Sequence, residues 1–113
     1  MKKSLLWILV LIFVSTIVSF SLAESKIDVG IVLPTKDEPR WIQDETYFND
    51  ALKTAGYSAE ILFSQGSPAK EKENVEALIT KGAKVLIICP HDSTAAAASA
   101  DEARAAGIKG HFL

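Results

Sequence analysis

Two short stretches concentrate the side chains that could do chemistry. One is Thr35-Lys36-Asp37-Glu38, continuing into Pro39-Arg40-Trp41; the other is Cys89-Pro90-His91-Asp92-Ser93. Neither has the form of a nucleophile elbow, since no Gly-x-Ser-x-Gly occurs. Neither cradles a phosphate, since the chain has no Gly-x-Gly-x-x-Gly and no Gly-Lys-Ser/Thr. Two histidines, one cysteine and scattered carboxylates show no metal-ligand spacing, so neither metal nor cofactor is expected. What remains is a set of planar hydrogen-bonding groups, among them Arg40 and Asp92, beside the indole of Trp41. Such a set suits a ligand rich in hydroxyls with an apolar C–H face. The hydroxyls pair with guanidinium and carboxylate in charge-assisted bonds, and the C–H face lies on an aromatic ring.

Each of these residues also has a plain structural role open to it. Trp41 shares a helical stripe with Phe48 and Leu52 and suits a core. Arg40 in a first helical turn is commonly solvated, and Lys36 to Glu38 reads as a solvated charged loop. Asp92 or Ser93 is a good N-cap for the helix that follows. His91 is an ordinary loop histidine, and Cys89 at a strand end is a small buried hydrophobe.

The elements that must position these loops alternate between strand and helix. Lys26–Leu33 is a β-branched run closed by Pro34, near-continuous in apolar residues as a strand covered on both faces should be. Pro39–Ala55 is a helix with Trp41, Phe48, Leu52 and Ala55 on its inner face and Gly56 as its stop. Tyr57–Phe63 is a second strand. Ser67 caps a helix over Ala69–Lys81, with Pro68 in its first turn, Val75, Leu78 and Ile79 facing inward, and Gly82 ending it. Ala83–Cys89 is a third strand, and Thr94–Ala106 an alanine-rich helix ended by Gly107. Short connections between alternating elements predict an α/β fold, a doubly wound parallel sheet with strand order 2-1-3. Ligands in such sheets bind beyond the strands' carboxyl ends at the switch point, here between strands one and three. The two loops singled out above meet there.

Ahead of this unit the chain carries Met1-Lys2-Lys3, an apolar run from Leu5 to Phe20, and the small residues of Ser21-Leu22-Ala23. That is the three-part pattern of a secretory signal peptide over 1–23, cleaved after Ala23. An uncleaved anchor is the rival reading, at the short edge of what spans a bilayer. The 113 residues carry 12 basic and 14 acidic side chains, a net charge of -2, which gives no footprint for nucleic acid. A single cysteine excludes an intramolecular disulfide.

Val29-Gly30-Ile31-Val32-Leu33-Pro34-Thr35-Lys36 followed by Pro39-Arg40-Trp41 resembles the opening of the periplasmic sugar-binding proteins of ABC transporters, in their ribose-, xylose- and multiple-sugar-binding branches. Ser64-Gln65-Gly66-Ser67-Pro68-Ala69-Lys70-Glu71, Asn74-Val75-Glu76, Lys81-Gly82-Ala83-Lys84-Val85-Leu86-Ile87-Ile88 and Pro90-His91-Asp92-Ser93 carry the same resemblance. It implies the N-terminal lobe of a type I periplasmic binding protein over 24–113, with a vestigial fourth strand. It implies a pentose or hexose monosaccharide as ligand, a membrane permease as partner, the periplasm or envelope exterior as location, and no catalysis. Arg40 and Trp41 fall where the family sets a hydrogen-bonding or aromatic pair against the sugar, and Asp92 where the ribose branch sets a carboxylate on sugar hydroxyls. Lys36 falls in a loop that reaches the ligand in some members. His91 joins the candidate set by position, with no family role. Members of the family are several times longer and add a second lobe, so the present sequence reads as truncated.

Two other readings stand beside this one: a sugar-sensing adaptor for a chemoreceptor or sensor kinase, and a small α/β hydrolase using His91 and Asp92. The hydrolase lacks a placed nucleophile. Because Gly110-His111-Phe112-Leu113 interrupts the apolar run begun at Ile108, the outer edge of strand three, Val85–Ile88, is expected to be unpaired. A single lobe offers an open ledge, where millimolar or weaker sugar affinity is expected, about -4 kcal/mol at most. Export is tested first: mass spectrometry of the envelope fraction is expected to find a mature chain beginning at Glu24. A full-length cytoplasmic product retaining Met1-Lys2-Lys3 overturns it.

Overall fold

The computed structural model describes residues 26–113, so the signal peptide expected over 1–23 lies outside the described residues. Strand β1 (Val29–Leu33) leads to helix α1 (Pro39–Thr54), then β2 (Ala59–Phe63), α2 (Pro68–Thr80), β3 (Val85–Ile88), α3 (Ser93–Ala105) and β4 (Lys109–Phe112). The four strands form one sheet in the order β2-β1-β3-β4. All three pairings are parallel, with Val29 opposite both Ala59 and Val85. This is the doubly wound α/β sheet expected from the alternation of elements.

Side chains of β1 alternate between two faces, and both faces are covered. Val32, with Leu86 and Ile88 of β3, meets Val75 and Leu78 of α2 and Ala103 of α3. Val29, Ile31 and Leu33 meet Trp41 of α1, with Phe48, Leu52, Ile61 and Phe63 packed around them. Helix α3 buries Ala95, Ser99 and Ala103, small residues spaced one turn apart. A narrow stripe of this kind lets it lie close along α2.

Gly30 sits under α2. A Cβ there would stand 2.9 Å from Leu78 Cβ and 2.9 Å from Leu86 Cδ2. Leu78 Cβ is fixed to the helix backbone and cannot swing aside, so the missing side chain sets the distance between α2 and the sheet.

Boundaries differ from the sequence expectation in ways with local causes. Strand β1 starts at Val29 rather than Lys26, and Asp28 just ahead of it ties the two neighbouring segments together. Its carboxylate accepts from the Ser58 N–H (2.9 Å), the Ser58 hydroxyl (3.0 Å) and Lys84 Nζ (3.1 Å). The Ser58 N–H, then Lys84, hold the Asp28 carboxyl down to about 2. Strand β2 starts at Ala59 rather than Tyr57, because the Tyr57 N–H still donates to Leu52 O at the end of α1. Ala55 is the C-cap of α1 and is exposed, so it does not join the inner stripe.

The expectation of an unpaired β3 edge is wrong. Strand β4 pairs with the whole of β3, Val85 opposite Lys109 through Ile88 opposite Phe112, and the Leu113 N–H continues the ladder to Ile88 O. A ladder needs backbone N–H and C=O groups, not an apolar run, so Gly110 and His111 extend it as well as isoleucine would. Phe112 supplies the apolar anchor by packing against the α2–α3 side of the core.

Gly30→Ala is expected to destabilise the fold by about 1–3 kcal/mol through overpacking. A lowered urea midpoint with unchanged slope is the signature; an unchanged midpoint shows that α2 can back away without cost.

Candidate functional site

Because β1 and β3 are adjacent and their crossovers leave to opposite faces, the switch point of the sheet, where ligands bind in folds of this kind, lies beyond their carboxyl ends. The β1–α1 loop forms one wall of this crevice and the β3–α3 loop the other.

The β1–α1 loop is tied to its neighbour, the β2–α2 loop, rather than left free. The Ser64 N–H donates to Leu33 O at 2.9 Å, the Gly66 N–H to Pro34 O at 3.1 Å, and the Lys36 N–H to Gln65 Oε1 at 3.0 Å. Gln65 and Gly66 adopt φ of 52° and 72°, and the Ser67 N–H closes the turn on Ser64 O at 3.0 Å. Two consecutive left-handed residues are the mark of a type I′ turn, and a side chain at its first central position is uncommon. Gln65 accepts that conformation and returns a hydrogen bond to the facing loop.

Lys36 is exposed, with its ammonium over the Phe63 ring at 4.7 Å from the centroid. That contact draws the Lys36 side chain toward β2. Trp41 is a core residue, 8% exposed and packed with Val29, Ile31 and Leu33. The Arg40 guanidinium lies over its ring at 4.5 Å from the centroid. Arg40 remains largely exposed and stands 3.8 Å from Asp44 one turn along. The planar group presented outward is therefore the guanidinium, with the indole as its backing. Stacking on an aromatic ring restrains the guanidinium and orients its donors before any ligand arrives.

Across the crevice, Asp92 is the N-cap of α3, in extended backbone, and its Oδ1 accepts from the Ala95 N–H at 2.8 Å. Its Oδ2 makes no hydrogen bond among the described residues and the residue is exposed. Capping and ligand binding, which the sequence leaves as alternatives for Asp92, thus use different oxygens. Ser93 is the first residue of α3 rather than its cap. His91 is exposed, and its backbone N–H donates to Glu71 Oε2 at 2.7 Å. Cys89 packs beside the Trp41 cluster, where burial pushes its thiol up against the opposing pull of the Arg40 charge. A thiol so placed behaves as a small apolar side chain.

Glu71 is the residue that sequence reasoning missed. It lies in the first turn of α2 and is 1% exposed, yet its carboxylate serves the crevice wall through His91 and through the Ser99 hydroxyl at 3.1 Å. Its place among Ala69-Lys70-Glu71-Lys72-Glu73 reads as one more solvated charge. Only the arrival of α3 on α2 buries it.

The profile of a family described as a periplasmic binding protein domain matches residues 29–110, which includes both loops. A carbohydrate transporter solute binding protein from Chloroflexus aurantiacus, solved in complex with D-glucose, shares 78% identity over 74% of this chain with a TM-score of 0.69. The multiple sugar-binding periplasmic receptor ChvE of Rhizobium radiobacter is 36% identical over 85% of this chain. A solute binding protein of an ABC transporter from Clostridium phytofermentans, solved with bound β-D-glucose, is 29% identical over 73% of the chain with a TM-score of 0.68. The present chain spans about a quarter of these proteins, 25% of the Chloroflexus and Clostridium chains and 27% of ChvE. The family is one of solute-binding proteins rather than enzymes. With its parallel sheet, its strand order and its profile match in agreement, the chain belongs to the periplasmic binding protein domain family.

Proposed function

We propose that residues 24–113 form the N-terminal, sugar-contacting lobe of an exported solute receptor that delivers a monosaccharide to an ABC importer, and that they carry no catalysis. The observation that carries this reading is the family match across both crevice loops, joined to the polar groups those loops hold outward. Arg40 supplies planar donors backed by Trp41, and Asp92 supplies a free carboxylate oxygen while its partner oxygen caps α3. Sugar hydroxyls are donors and acceptors at once, so a guanidinium on one wall and a carboxylate on the other suit them. Lys36 and His91 lie on the same two loops, although the Lys36 ammonium leans toward Phe63 of β2. A membrane permease is the partner, the periplasm is the place of action, and residues 1–23 are the cleaved signal. D-Glucose, which the Chloroflexus and Clostridium proteins hold in their solved structures, is the first ligand to test.

Titrating the isotopically labelled chain with D-glucose and D-ribose, followed by amide chemical shifts, tests the proposal. Saturable shifts confined to residues 34–41 and 89–93 are expected, with a millimolar or weaker dissociation constant, since an open crevice leaves water competing for every bond. Asp92→Ala is expected to weaken binding about fivefold through the lost charged partner and to cost about 1 kcal/mol of stability through the lost cap. Asp92→Asn retains the capping oxygen, and is expected to keep the stability while still losing affinity. Shifts that never saturate, or that fall on the opposite end of the sheet, overturn the reading. So does an Asp92→Asn variant that binds as wild type, which would leave Asp92 a cap alone.

A further inference from the structure

A carboxylate buried to 1% exposure and devoted to a backbone N–H of a candidate binding loop is costly to keep, and that cost points to a purpose. Glu71 sits on α2, the helix after β2, while both of its donors belong to the next crossover. The His91 N–H lies in the β3–α3 loop, and the Ser99 hydroxyl lies on the buried stripe of α3. The carboxylate therefore joins three elements: the first turn of one helix, the middle of the next, and the loop between β3 and that helix. Its bond to His91 is to the main chain, so it constrains the path of the loop whatever side chain occupies 91. One residue on, Asp92 constrains the same path from the other side by capping Ala95. The backbone of residues 91–95 is thus held at both ends by carboxylates, one buried and one exposed.

We infer that Glu71 is the positioning residue of the sugar crevice: by holding the His91 N–H from beneath, it sets the direction in which Asp92 Oδ2 is presented. Glu71 touches no ligand. This deepens the function proposed above and rests on it for the sugar, but the claim about the loop stands on geometry that can be measured without sugar.

Glu71→Gln keeps an acceptor oxygen for the His91 N–H, and its amide can donate to the Ser99 hydroxyl, which then acts as acceptor. Glu71→Ala leaves the His91 N–H without its protein acceptor. Ser99→Ala removes the second donor and leaves Glu71 free to turn, a milder change should the Glu71→Ala variant fail to fold. Three quantities are compared across these variants: hydrogen exchange at the His91 amide, the urea midpoint, and D-glucose affinity. In Glu71→Ala the His91 amide is expected to exchange at least about tenfold faster beyond what the change in global stability explains, with glucose binding weakened by about tenfold. Glu71→Gln is expected to restore both, and Ser99→Ala to fall between. If exchange at His91 merely follows global stability in every variant, or Gln fails to rescue a folded chain, Glu71 is only a core polar group and the inference is overturned. If wild type binds no glucose while the exchange pattern holds, the sugar reading fails and the loop claim survives. If glucose binds but affinity is unmoved in a folded Glu71→Ala or Ser99→Ala chain, the positioning claim fails and the sugar reading survives.

Discussion

Ile31, Val32 and Leu33 are fully shielded from water, and the rest of the structure is organised by the way that is achieved. Strand β1 is hydrogen-bonded on both edges and packed on both faces, so its neighbours have little freedom. Parallel partners require crossovers, and right-handed crossovers to β2 and β3 must leave on opposite sides of the sheet. That divergence opens the crevice at the carboxyl ends of β1 and β3. It also brings α2 and α3 together on one face, where Glu71 reaches Ser99 and the β3–α3 loop. Gly30 keeps this assembly close, because nothing larger fits between α2 and β3 at that level.

The crevice is built of side chains that do two things at once. Gln65 fills a left-handed turn and holds the Lys36 amide. Asp92 caps a helix with one oxygen and leaves the other outward. Trp41 completes the core and carries the Arg40 guanidinium on its ring. Such double use binds the geometry of the rim to the integrity of the fold: the surface groups are placed by residues that a turn, a helix cap or the core would need anyway.

The architecture was largely legible in the order of residues because its signals are local. Prolines at 39 and 68, the cap at Ser67 and the glycines at 56, 82 and 107 punctuate the helices where the structure ends them. Non-local facts were harder to read. The role of Asp28 depends on Ser58 and Lys84, which no single segment reveals. Strand β4 is hard to read because three of its four residues, Lys109, Gly110 and His111, are polar or small, whereas β3 asks only for a backbone partner. Of the candidate site, both walls could be located from topology, but neither the burial of Trp41 under Arg40 nor the part played by Glu71 could. Helical spacing left Trp41 open between core and ligand face, and a glutamate in a run of charges gives no hint that another helix will cover it.

The pairing of β1 also has a meaning in time. Its two partners are supplied later in the chain, Ala59–Phe63 on one edge and Val85–Ile88 on the other. A polypeptide delivered N-terminus first, whether from a ribosome or through a membrane pore, therefore presents its most deeply buried strand before either edge can be closed. Among the described residues no local hairpin offers a substitute, because every ladder in the sheet is parallel. Loop closure must precede strand pairing in such a topology, which makes folding slow. The same arrangement that buries Val32 completely in the finished molecule keeps the nascent chain open until its third strand has emerged.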